Sequence, residues 1–218
     1  FLERAIMTGI TRVSKESVFS DLNNLVVITT TSADYAESFG FTEKEVFAAL
    51  KEYGMEEKQT EVKQWYDGFT FGKVSDIYNP WSILNYLKTG RMAAYWANTS
   101  SNRFIGTLIR ESGRNLKIKF EDLLKGKELW TTLDEQVVFN QLSYSESAIW
   151  SMLLASGYLK VTGHKLNERT GRDEYYLALT NREVHLMFEN MIHEWFTEVS
   201  EDYNDFITGL LNGDVPAM

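Results

Sequence analysis

One short text occurs twice in this chain, and it limits the fold more than any other feature. Phe41-Thr42-Glu43-Lys44-Glu45-Val46 and Leu179-Thr180-Asn181-Arg182-Glu183-Val184 each place a threonine three residues before a glutamate, inside an apolar bracket. The hydroxyl can accept the third residue's N–H, the carboxylate can reach back, and the flanking apolar pair can staple the entry. Each copy therefore predicts a helix start. Behind the first, Val46, Phe47, Leu50 and Tyr53 share a face before Gly54 ends the turn. Behind the second, Val184, Met187, Phe188, Met191, Ile192 and Trp195 form one stripe.

Around these starts the pattern changes along the chain. Residues 1–9 and 25–31 are rich in Val, Ile and Thr and read as strands. From 32 to about 124 the spacing is helical. A second helix is expected over 56–65, Asp67-Gly68 marks a turn, and 69–78 reads as a short hairpin or ordered loop. Asn79-Pro80 opens a helix that runs to Gly90, because Asn caps and Pro gives up an N–H that would lack a partner there. Further helices are expected over 102–111 and 120–125. Trp65, Tyr66, Tyr78 and Trp81 are expected to form an aromatic core. From 129 onward, 130–139 has strand character, 145–156 is helical, and strands at 157–161 and 175–179 flank a polar loop at 162–174. A helix followed by a hairpin is the wing arrangement of a winged helix. A terminal helix is expected over 201–211. The predicted fold class is mostly α with small β elements (α+β).

The 218 residues carry a net charge of −9 and contain no cysteine. Disulfides, Cys-ligated metals and thiol catalysis are excluded, and a reducing cytoplasm is the expected location. No window approaches the ~20 apolar residues of a membrane span. The acidic balance opposes a broad footprint on nucleic acid. Lys165, Arg169 and Arg172 are nevertheless candidate nucleic-acid contacts, since cations on a hairpin tip can reach phosphates; Glu168, Asp173 and Glu174 stand beside them. DNA and a second copy of the chain are the candidate partners, the latter through the acidic surface and the amphipathic helix from Arg182.

Catalytic motifs are poorly supplied. Gly68-Phe69-Thr70-Phe71-Gly72-Lys73-Val74 has the wrong glycine spacing for a phosphate loop and lacks its hydroxyl. His164, His185 and His193 do not complete a metal set, so no metal ligands are assigned. Glu61-Val62-Lys63 has the nuclease spacing of acid and lysine, but in a helical stretch it reads as a solvated charged face.

Three clusters read together carry a family resemblance. They are Ile6-Met7-Thr8-Gly9-Ile10-Thr11-Arg12-Val13-Ser14-Lys15 running on to Leu25, Trp65-Tyr66-Asp67-Gly68-Phe69 with Phe71-Gly72, and Tyr78-Asn79-Pro80-Trp81-Ser82-Ile83 followed by Tyr95-Trp96-Ala97-Asn98-Thr99-Ser100. With Ser156-Gly157-Tyr158-Leu159 and Asn181-Arg182-Glu183-Val184, they resemble the bacterial AAA-ATPase-like family, whose members often end in a restriction-endonuclease-like nuclease domain.

The resemblance implies an ATPase core whose Walker A and Walker B motifs are not in this text, and hence a segment of a longer protein. Residues 1–31 would be a remnant of the P-loop core, 32–128 a helical lid and 129–218 a winged-helix-like domain. Thr8 would hold the sensor position, Arg12 would be a second sensor-type catalytic group, and Lys15 would help hold nucleotide. ATP and magnesium are the cofactors expected of the intact protein. A missing N-terminal ATPase core and a C-terminal nuclease domain are its expected covalent partners.

Overall fold

The structure, a computed structural model, describes residues 6, 26–97, 99, 102–134, 141–142 and 145–194. Thr8, Arg12 and Lys15, the strand expected over 1–9 apart from residue 6, and the terminal helix expected over 201–211 lie outside the described residues.

Local signals place the first helices. In α1 (Glu43–Glu52), Thr42 and Glu45 form the full reciprocal capping box. A single 3-10 turn (Glu56–Lys58) leads into α2 (Gln59–Tyr66). The hairpin of β2 (Phe69–Phe71) and β3 (Val74–Tyr78) pairs with the short β1 (Phe41–Thr42), giving a three-stranded antiparallel sheet in the order β1-β3-β2. Asn79 caps α3 (Pro80–Thr89) by accepting the N–H groups of Trp81 and Ser82, and Gly90 closes it in the left-handed conformation. Val46, Leu50, Val62, Tyr66, Tyr78, Ile83, Tyr86 and Leu87 form the first core.

Three expectations change here. Residues 26–29 carry no strand pairing; the segment 26–31 instead turns and offers Thr30 O to the N–H of Gly72. The β-branched run satisfies a hairpin turn rather than extending a sheet. The hairpin expected within 69–78 is present, and a two-residue strand at Phe41–Thr42, too short for periodicity to reveal, adds to it to make the sheet just described. Tyr53 and Trp81 are exposed, at 58% and 54%, while Tyr66 and Tyr78 are fully buried.

The second core is built from α4 (Arg103–Glu111), α5 (Arg114–Leu124), β4 (Leu129–Thr132), α6 (Glu146–Ala155), β5 (Leu159–Asn167), β6 (Arg172–Leu179) and α7, described over 182–194. Its sheet is antiparallel in the order β4-β6-β5. The polar text at 162–174 is largely paired strand, not loop. Lys165 faces Glu174 and Asn167 faces Arg172 across the ladder, and only residues 168–171 turn. Residues 148–154 of α6 are all buried, so this helix is enclosed on every side. Among the described residues no helix is long and apolar enough to cross a membrane.

Candidate functional site

The site is the seam between the two cores, and its centre is Glu183. The second copy of the capping text does not cap. Asn181 takes that role: its Oδ1 accepts the N–H of Val184 at 3.1 Å. Thr180 turns away and donates to the carbonyl of Gly157 at 2.7 Å. Glu183, released from the helix end and 1% exposed, points into the interior. Its carboxylate accepts from Ser82 Oγ of α3 at 2.8 Å and from the N–H groups of Trp96 and Ala97 at 2.5 and 3.1 Å. Burial pushes the carboxyl above its usual range, and these donors pull it back. One side chain thus ties α7, α3 and the 96–97 backbone together.

The 91–97 segment is placed from the first core. Tyr66 Oη donates to Ala93 O at 3.0 Å and accepts Ala93 N–H at 3.1 Å, which fixes the backbone that presents Trp96 and Ala97. A line of ring contacts crosses the same seam. Phe69 meets Trp96 edge-on at 5.6 Å, Trp96 meets Tyr158 at 5.5 Å, Tyr158 meets Phe188 at 5.6 Å, and Phe188 meets Phe120 at 4.8 Å. Gly157 and Gly68 permit the close approach. A Cβ on Gly157 would lie 2.6 Å from Phe69, and one on Gly68, at φ +128°, would lie 2.0 Å from Thr180 O. Arg182 stacks over the Trp65 ring at 5.2 Å.

Beside the Gly68 turn lies a charged cluster. Lys63 Nζ bonds to Glu43, to Asp76 at 2.9 Å, and lies 3.9 Å from Asp67. Burial and the hydrogen bond that its protonated form donates to neighbouring Asp76 push Asp67 up to about 6, whereas Ser75 and Lys63 pull Asp76 down to about 2. Below about pH 6 the proton of the pair therefore sits on Asp67 rather than Asp76. Among the described residues Asp67 Oδ1 and the buried Tyr78 hydroxyl have no hydrogen-bond partner. The lysine already fills the place a cation would take, and three carboxylates make the cluster unsuited to phosphate. Among the described residues no group of three or more His, Asp or Glu is arranged to hold a metal.

The nuclease-like text resolves into two unrelated roles. Glu61 pairs with Lys58 at 3.0 Å on the exposed surface, as its helical setting implies, while Lys63 faces the carboxylates. His185 is a hydrogen-bonded helix histidine: its Nε2 donates to Leu124 O at 2.8 Å. Lys165, Arg169 and Arg172 are exposed on the β5–β6 hairpin, well separated in the ladder from Glu183. Thr8, Arg12 and Lys15 remain outside the described residues.

Sequence reading missed Glu183, Ser82, Lys63, Asp67, Asp76 and Tyr78. Asn181, a better cap placed one residue after Thr180, is the signal that Glu183 was free for another use.

No protein-family model matches the chain. No solved structure matches it either. One curated relative is an uncharacterised protein in the vnfD 5′ region of Azotobacter chroococcum mcd 1, 31% identical over 107 residues. That stretch covers 49% of this chain and 20% of the relative, so the chain spans about a fifth of the length of the protein it matches.

Proposed function

We propose that this chain is the lid and winged-helix portion of an AAA-ATPase-like protein, a lever that carries nucleotide-driven movement to an attached domain. The observation that carries the reading is Glu183. The cost of burying this carboxylate is offset by donors from two other segments, and those bonds hold the segments to α7 as one piece. The strand order β4-β6-β5, with α5 before β4 and α6 before the β5–β6 hairpin, supports the winged-helix assignment.

In the intact protein ATP and magnesium supply the phosphoryl-transfer chemistry. Thr8 and Arg12 act there as sensor-type groups and Lys15 helps hold the nucleotide. The triphosphate grip is assigned to the Walker motifs that the family resemblance implies in the parent protein. Purified parent protein should hydrolyse ATP, with turnover falling on Thr8→Ala and Arg12→Ala. The 218-residue chain alone should not. Turnover by this chain alone would overturn the proposal.

A duplex-DNA reader is less favoured. In that arrangement the helix before the hairpin enters the major groove, and here residues 148–154 of α6 are all buried.

A further inference from the structure

The sheet of the second core has two faces of different chemistry. Strand alternation sends Leu177, Leu179, Val161, Leu159 and Leu129 inward. The opposite face carries Trp130 of β4 directly across from Tyr176 of β6, and Tyr176 across from Gly163 of β5. Trp130 is 56% exposed and Tyr176 38%. A Cβ on Gly163 would touch Tyr176 Cδ2 at 3.5 Å, so the tyrosine ring packs against the glycine backbone while part of it stays exposed. Its neighbour Trp130 extends the same surface by one strand spacing, ~5 Å.

The charge on this face runs against that of the chain. Lys165 and Arg172 point outward by the same alternation, with Glu174 as the opposing carboxylate, while the Lys160 ammonium lies beside the Gly68 turn. Glu174 is engaged by Asn167 Nδ2 at 2.7 Å. Lys165 and Arg172 are exposed, two and four rungs from Tyr176. On a chain of net charge −9, two exposed rings beside this cationic row form a local surface complementary to a polyanion with π faces.

We infer that this outward face is a stacking platform for single-stranded nucleic acid, with Trp130 and Tyr176 taking bases and Lys165 and Arg172 taking phosphates. The enclosed α6 cannot read a duplex groove, whereas an unpaired strand can lay its bases on a flat sheet without one. Recognition here is by stacking and charge, and carries little base preference. The inference goes beyond the lever role and does not depend on it.

The test is fluorescence anisotropy of a short labelled oligothymidylate with the 218-residue chain at low salt, with its duplex form as competitor. The single strand should bind, more weakly as salt rises, and the duplex should compete poorly. Trp130→Ala and Tyr176→Ala should each weaken binding about tenfold. Tyr176→Phe should retain binding, because the ring is kept. Lys165→Glu should weaken binding and flatten its salt dependence. Trp81→Ala, an exposed tryptophan outside this face, should change nothing. Circular dichroism of each variant separates loss of fold from loss of platform. Absence of binding, ring variants that bind as well as the parent, or a duplex held as tightly as the single strand would each overturn the inference. The first of these would leave the rings to a protein partner.

Discussion

Replacing Glu183 by alanine removes the acceptor for Ser82 Oγ at 2.8 Å and for the N–H groups of Trp96 and Ala97 at 2.5 and 3.1 Å. The serine hydroxyl can turn to a carbonyl of its own helix, but the two amides cannot move. Each buried donor left without a partner costs ~1–3 kcal/mol. Relief of the buried charge offsets part of this, so a net loss of ~3 kcal/mol is expected. For a chain of this size each kcal/mol shifts the midpoint by ~2–4 °C, which predicts a fall of ~6–12 °C.

Glu183→Gln keeps the shape and one acceptor, and should lose less than half as much. The carboxyl's folded pKa lies above its unfolded value, so its contribution is complete at low pH and declines as pH rises through the folded value. The glutamine variant should lose that decline. Urea unfolding followed by circular dichroism, across a pH series and with Ser82→Ala in both backgrounds, reads the coupling. If Glu183→Ala stays within ~0.5 kcal/mol of the parent, the carboxylate does not hold the seam.

Two further outcomes follow from the same junction. Gly68→Ala places a methyl 2.0 Å from Thr180 O at φ +128°, and should cost ~2 kcal/mol or more in urea unfolding. Asp67, held up to about 6 by burial and by Asp76, contributes stability at low pH that is lost as pH rises through about 6. Asp67→Asn should flatten thermal stability between roughly pH 5 and 7; an unchanged slope in that window would show that the proton is not on Asp67.

Much of the fold was legible because its causes are local. The first capping box acts within four residues: Thr42 N–H donates to Glu45 at 2.8 Å and Glu45 N–H to Thr42 at 3.4 Å. Asn79-Pro80 and Gly90 bound α3 in the same way, by cap and left-handed turn. The β5–β6 hairpin was visible too, though shorter than it is. Its polar outer residues hide strand pairing, since charged side chains on a solvent face look the same as a loop.

The sequence by itself determined where most helices begin, because a cap is a contest between neighbouring groups for a few free N–H donors. It could not decide the fate of Glu183. Thr180 and Glu183 carry the same spacing as Thr42 and Glu45, yet Asn181 wins the cap and Glu183 finds Ser82, 101 residues away in the chain. Lys63 likewise meets Glu43 and Asp76 only when α1, α2 and β3 converge. A buried carboxylate goes where several donors converge, and only the packed chain brings donors from distant segments to one point.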